Sequence, residues 1–371
     1  MRIVIEHGEH QHRNRGDVAM LQVAVDRLRS LWPDAELAVV TGDPELLAEL
    51  VPGALPIRLT AGRVSRVLRR GADPLAGADL LAAIGGGYLT DVDPEQSERV
   101  LGTIERAQER GIPCVLFGQG IGPLRDPALR ELAARVLPKC ALIALRESVT
   151  GAPLLAELGV PGEKVTVTGD DAIPLARAGA PESLGQGLAV NHRLASYLET
   201  DDAETQVIRG AVHAAAFDRG AALIPIPVSE WDDDRPGTAR ITEGYPLVEH
   251  PDAPSAPPQW AIARLDRARL VVTSTYHLAV FALSRGIPAV CVASSDYYRH
   301  KFQGLANLFG PGCTVVDLGT PDPATALVSA IDALWESADM LRPGLLAAAD
   351  RQIALGEAAY ARAQELVTPE A

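Results

Sequence analysis

Lysine is nearly missing from this chain: Lys139, Lys164 and Lys301 are the three among 34 basic residues. The shortage goes with abundant Ala, Gly and Pro and reads as a GC-rich coding bias, but it makes Lys301 conspicuous. Long apolar runs are lacking as well. Stretches such as Ala141–Leu145 and Leu270–Val272 are far too short to cross a bilayer. Met1-Arg2 leads directly into Ile3-Val4-Ile5, which reads as a first strand and not as a signal peptide. Aromatic residues make up 4% against 47% apolar residues in all, so Leu, Val, Ile and Ala must build the core. The four cysteines (Cys114, Cys140, Cys291, Cys313) show no CxxC or other metal spacing and read as reduced structural thiols of a cytoplasmic protein. No basic stripe exceeds Arg66–Arg70 and the net charge is −14, which argues against nucleic acid as a partner. Distant acidic charge is screened beyond about 8 Å at physiological salt, so an anionic ligand stays open to a site that gathers its own arginines and amides.

What is present is alternation. Strands are expected at Ile3–Glu6, Leu37–Thr41, Leu80–Ile84, Cys114–Phe117, Leu142–Leu145 and Val165–Thr168. Between them come helices at Asp17–Leu31, Pro94–Arg110, Pro127–Val136 and Val149–Leu158, the first with Met20, Val23, Ala24, Leu28 and Leu31 at helical spacing. The Gly-, Ala- and Pro-rich stretch Ile173–Gly187 reads as an interdomain linker. A second series follows with Leu188–Asn191, Ala203–Arg219, Leu223–Ile226 and Trp260–Arg267, and then helices at Ala324–Trp335 and Pro343–Leu366. Trp231–Pro236 and Glu249–Pro258 read as surface insertions. Strands alternating with helices of this length predict an α/β chain with parallel sheets. The expected domains are 1–175 and 185–345, with a C-terminal helix over 346–371 crossing back to the first domain.

The segment Leu270–Leu308 is the richest. It reads strand, helix, strand, helix, and puts His277 and Lys301 just past the carboxyl ends of parallel strands, where open α/β sheets bind ligands. Other strand ends carry polar turns. Asn14-Arg15-Gly16-Asp17 opens the first helix, with Asp17 as its start or as a functional carboxylate. Gly85-Gly86-Gly87-Tyr88 and Gly118-Gln119-Gly120-Ile121 read as glycine turns, either tight turns or cradles for an anion. Arg146-Glu147 suggests an ion pair, and Asn191-His192-Arg193 ends the first strand of the second half. His7, His10 and His12 have neither carboxylate nor thiolate partners at metal spacing, so no metal is expected.

Taken in order, N-x-G-D-x-A, GGG-Y-L, G-x-GIGP, LRES, V-TGDDA and Y-H-x-x-x-FAL-x-x-GIPAV…YY-x-x-K-x-x-GL resemble the polysaccharide pyruvyltransferase family, from Asn14 to about Leu305. The resemblance implies a GT-B-like pair of Rossmann-like domains facing across a cleft, with an acceptor side and a donor side. It implies transfer of the enolpyruvyl-derived group of phosphoenolpyruvate to two hydroxyls of a saccharide, giving a pyruvate ketal and phosphate. No cofactor beyond the donor is expected. The acceptor would be a saccharide or lipid-linked saccharide, and the setting cytoplasmic or peripheral at the inner membrane face. His277 is the implied acid and Asp17 the base or orienter. Asn14, Gly86, Gly87, Gly120, Arg146, Asn191, Arg193, Thr275, Tyr276 and Lys301 are the implied binding residues. One departure stands out: the family pattern S-x-R-x-H has Thr275 in place of its arginine, so Arg193, Arg146 or Lys301 must hold the donor's charge. Two alternatives remain at this stage. One is a GT-B glycosyltransferase using a nucleotide-sugar, with Glu230 or Asp232–Asp234 on the ribose. The other is a non-catalytic saccharide-binding member.

Overall fold

The computed structural model describes residues 1–8, 10–58, 73–194, 202–230, 234–248 and 255–367. The arginine stripe Arg66–Arg70, Asp232, Asp233 and residues 249–254 lie outside the described residues. The chain forms two compact units. One comprises Met1–His12, Met20–Asp171 and Ala354–Ala371, and the other Arg13–Ala19 and Ala172–Ile353.

The first unit is built on β1 (Arg2–Glu6), α1 (Arg15–Leu31, whose first turn counts with the second unit), β2 (Glu36–Thr41), α2 (Pro44–Leu50), β3 (Leu55–Arg58) and β4 (Leu80–Leu89). It continues with α3 (Pro94–Glu109), β5 (Cys114–Ile121), α4 (Pro127–Val136), β6 (Leu142–Leu145), α5 (Gly151–Glu157) and β7 (Val165–Val167). Its seven strands are all parallel, in the order β3-β2-β1-β4-β5-β6-β7. Both faces of such a sheet are covered by helices, so β1, β4 and β5 are buried along nearly their whole length.

The second unit contains α6 (Ile173–Arg177), β8 (Gly187–Asn191), α7 (Asp202–Arg219), β9 (Leu223–Pro225), α8 (Asp234–Thr242) and α9 (Pro258–Arg264). Then come β10 (Ala268–Thr273), α10 (Tyr276–Ser284), β11 (Ala289–Ala293), α11 (Asp296–Phe309), β12 (Cys313–Asp317) and α12 (Pro323–Val367, whose last part counts with the first unit). Its five parallel strands run β12-β11-β10-β8-β9. Helix α10 is buried on every side, as its sequence YHLAVFALS requires.

Helix starts follow a local rule. Asp43-Pro44, Asp93-Pro94, Asp126-Pro127 and Asp322-Pro323 each place a carboxylate where it accepts a backbone N–H of the first turn. Proline at the first helical position has no N–H to leave unsatisfied.

Four features differ from the sequence reading. The glycines of Gly85–Gly87 and Gly118–Gly120 lie inside β4 and β5, not in turns after them. Here the register shifts around Gly86 and before Gln119, and Gly86 and Gly118 have positive φ, so the strands continue through bulges only glycine tolerates. The expected linker contains α6 and is fastened within its unit. Arg285 donates to the carbonyls of Ala176, Ala178 and Gly179, and Arg342 to that of Pro181. The two expected C-terminal helices are one, with Pro343 inside α12. Buried Leu334, Ala338, Leu345 and Ala348 on either side carry the helix past the missing hydrogen bond. Finally, Asp234 is no surface residue: it is fully buried at the start of α8.

Candidate functional site

In the second unit the ends of β8, β9, β10 and β11 and the segment Arg13–Ala19 bring most of the implied residues together. Strand β10 ends at Thr273, level with Asn191 of β8 and Cys291 of β11. Past that edge, Thr275 Oγ1 donates to Asn191 Oδ1 at 2.5 Å, and Thr275 N–H donates to Thr273 Oγ1. Two residues on, His277 lies in the first turn of α10, 6% exposed. A side chain at Gly16 would place its Cβ 1.9 Å from His277 Cγ and 2.0 Å from Nδ1. Glycine in the N-x-G-D motif is therefore required by the imidazole lying on the backbone, a close approach no other residue permits.

Asn14, not Asp17, caps the first helix: its Oδ1 accepts the Gly16 N–H at 2.9 Å, and α1 starts at Arg15, with Asp17 in the first turn. The Asn14 segment pairs with the loop after β9. Asn14 bridges Ser229, Arg15 N–H donates to Val228 O, and Glu230 N–H donates to Arg13 O. Arg15 lies over Trp260 at 4.7 Å and donates to Glu230 Oε1 at 2.5 Å. Glu230 also accepts from Arg235 and from the Ser255 N–H. Glu230, one of the carboxylates considered for a nucleotide ribose, is thus engaged by three donors within the protein.

Lys301 stands in an aromatic surround. Its Nζ is 4.5 Å from the ring centre of Tyr297 and 5.4 Å from those of Tyr276 and Tyr298, and it donates to Tyr297 Oη at 3.1 Å. Tyr276 joins the two halves of the constellation, since its ring also meets His277 edge-on at 5.6 Å. Spacing explains the lysine's place: Tyr297 and Lys301 are four residues apart on α11 and so share a face.

Arg193 is held by Asp234, Nε to Oδ1 at 2.7 Å. Burial alone would raise the Asp234 carboxyl, but Arg193 and the Val228 and Ser229 amides hold it below the usual carboxylate range. His192, whose ring meets Thr205 and Ser274, is neutral at physiological pH, because burial pushes its imidazole down to about 4. Sequence reasoning missed Asp234 in this role, having read it as part of an acidic surface patch; the signal was the adjacent Asn191 and Arg193, two groups needing a common acceptor.

In the first unit the remaining residues are packed against one another. Arg146 is 2% exposed, with Nη1 3.6 Å from Asp170 Oδ2, and Gly120 lies so close that a Cβ there would meet its guanidinium at 2.6 Å. Arg146 and Glu147 do not form the suggested ion pair: Glu147 instead accepts the Val149, Thr150 and Gly151 amides at the start of α5. The side-chain space at Gly86 is taken by the Tyr88 ring, while Gly87 is half-exposed. Gln119 donates to Tyr88 Oη, which donates to Ile84 O. Asp171, next to Asp170, is raised by burial and accepts from Arg27 and from Tyr360.

The histidines near β1 do have a carboxylate partner, contrary to the sequence reading. His10 Nε2 is 2.7 Å from Glu6 Oε1, while His7 lies 5.1 Å from His12 and 5.4 Å from His10, all buried. Burial, with the neighbouring histidines, keeps His7 well below its ordinary pKa, and burial brings His12 to about 4. Among the described residues no group of three His, Cys, Asp or Glu side chains is arranged to hold a metal ion.

The chain is similar in structure to UDP-GlcNAc 2-epimerase from Neisseria meningitidis bound to UDP-GlcNAc, with TM-score 0.65, 12% identity and 99% of each chain covered. A putative UDP-N-acetylglucosamine 2-epimerase from Listeria monocytogenes matches at 0.63 and 16% identity over 95% of each chain. The UDP-N-acetylglucosamine 2-epimerase from Rickettsia bellii matches at 0.61 and 10%, over 99% of this chain and 96% of that one. At such identities the likeness shows the fold, a GT-B-like pair of Rossmann-like units. A family model described as polysaccharide pyruvyl transferase matches residues 14–296, the span that carries the Asn14 segment, Arg146, Asn191, Arg193 and His277. The chain belongs to the polysaccharide pyruvyl transferase family.

Proposed function

We propose that this chain uses phosphoenolpyruvate to form a pyruvate ketal on two hydroxyls of a saccharide, releasing phosphate. The observation that carries the reading is the second unit's constellation: His277 lies against Gly16, and Tyr276 links it to Lys301. Protonation of the donor's methylene carbon creates an oxocarbenium ion at the carbon bearing phosphate. One hydroxyl adds there, phosphate leaves, and the second hydroxyl closes the ketal. The two hydroxyl protons are balanced by the new methyl hydrogen and by the released phosphate. Histidine suits the acid's role because its ordinary pKa lies near neutrality. Lys301 and Arg193 clamp the phosphate and carboxylate, a charge-assisted arrangement. Both are only partly buried, which favours them over Arg146 for compensating Thr275. Asp17, in the first turn of α1, orients or deprotonates an acceptor hydroxyl, with Asn14 beside it.

No metal or organic cofactor enters this scheme. Four buried, unbridged cysteines suit a reducing cytoplasm, and among the described residues no helix is long and apolar enough to cross a membrane. The test is incubation with phosphoenolpyruvate and a panel of saccharides, following phosphate release and the mass gain of the acceptor. Absence of both turnover and donor binding by calorimetry overturns the proposal.

A further inference from the structure

We propose that Asp234 is a positioning residue for donor binding, its carboxylate fixing Arg193 and the ends of β8, β9 and β10 in one arrangement. The inference rests on the phosphoenolpyruvate reading above. Asp234 is 0% exposed, and both oxygens are engaged: Oδ1 by Arg193 Nε at 2.7 Å, Oδ2 by Asn191 Nδ2 at 3.1 Å and by the Val228 and Ser229 amides at 2.9 Å each. All four of these donors lie outside α8, the helix that Asp234 begins, so they draw on its charge for the strand ends and not for its own helix.

Each donor leads towards a residue already assigned to the reaction. Arg193 is gripped through Nε, which sets the plane of its guanidinium and so the direction of its other donors. Asn191, steadied by Asp234, accepts from Thr275 Oγ1, and Thr275 immediately precedes Tyr276 and His277. Val228 and Ser229 belong to the loop that pairs with Asn14 and Arg15, and that segment delivers Gly16 to the face of His277. One buried charge thereby sets the cation, the turn before the histidine and the backbone beneath it. A buried carboxylate is stable only with such a set of donors, so replacing it with a neutral group releases them together.

The experiment compares the native protein with Asp234→Asn, Arg193→Ala and the double variant, measuring phosphoenolpyruvate affinity by calorimetry and phosphate release at steady state. Asp234→Asn is expected to raise Kd and KM for phosphoenolpyruvate by about tenfold or more, with a smaller change in kcat. In the Arg193→Ala background the same substitution should change Kd by less than about threefold, because the share of its effect that reaches donor affinity runs through the arginine, whereas its hold on Asn191 and the Val228–Ser229 amides bears on kcat. A merely structural role would lower the melting temperature without this KM-against-kcat split and without the loss of effect in the double variant. If Asp234→Asn does not fold, Asp234→Glu takes its place, since it keeps the charge while displacing Arg193 by one methylene, and the same rise in Kd is expected. Native affinity in the folded variant, or an undiminished penalty beside Arg193→Ala, overturns the role of Asp234 alone. A native protein that binds no phosphoenolpyruvate overturns the donor reading and this inference together.

Discussion

Each unit carries an arginine just past the strand next to an edge strand, and an aspartate that follows the edge strand itself. In the first unit these are Arg146 after β6 and Asp170 after β7; in the second, Arg193 after β8 and Asp234 after β9. The resemblance ends there. Arg146 is 2% exposed, backed by Gly120, and its guanidinium stands 3.6 Å from Asp170, beyond hydrogen-bond length. Arg193 is 12% exposed and bonded at 2.7 Å to a carboxylate that three further donors also hold. The same fold position thus yields a sealed cation in one unit and a braced, accessible one in the other. The amides supplied by the loop after β9 make the difference, because they share in holding the Asp234 carboxylate.

The strongest way to break this contrast is at His277, the imidazole that lies against Gly16 in the second unit. His277→Ala is expected to lower phosphate release by about 10²–10⁴-fold, the usual contribution of a positioned acid. Activity near native levels in that variant would remove the second unit's claim to the chemistry. Next in size is Arg146→Ala, which removes the cation 3.6 Å from buried Asp170 and should cost about 3–5 kcal/mol of stability in denaturant unfolding. Arg193→Ala should show the opposite balance: Asp234 keeps three donors, so stability falls less, while phosphoenolpyruvate affinity drops about tenfold. Equal stability losses in the two variants would erase the distinction.

Gly16→Ala sharpens the contrast within the second unit. The added methyl displaces the imidazole, and turnover should fall at least about tenfold with a modest change in melting temperature. The smallest expected effect is acid sensitivity in the first unit. His12 has a folded pKa of about 4 against an ordinary 6.5, and His7 is lowered as well, so the folded state binds fewer protons than the unfolded chain. Stability is then complete above pH 6.5 and declines as pH falls towards 4. Melting temperature measured across that window should fall steadily, and His12→Asn should flatten the slope. A native protein with no slope there would show that the cluster is not held neutral.

Much of the fold was readable along the chain because parallel α/β units write themselves as alternating apolar runs and amphipathic helices. His277 and Lys301 were legible for the same reason: each follows an apolar run by a few residues and must land at a strand's carboxyl edge. The glycine segments misled, since a strand buried on both faces loses the alternation that would have marked Gly86 and Gly118 as its own residues. Asp234 was hidden in an acidic patch, and the carboxylate beside His10 was overlooked because Glu6 belongs to the strand and not to the histidine loop.

Local sequence therefore determined the elements, their order, and which side chains reach the strand ends, as these depend on period and on caps a few residues long. Tertiary structure alone decided the partners. Asn191 and Thr275 are 84 positions apart, and Arg193 and Asp234 are 41. Pairings at that distance arise only when strands distant in sequence become neighbours in a sheet, and burial then makes each polar group find whichever donor or acceptor the packing has brought within reach.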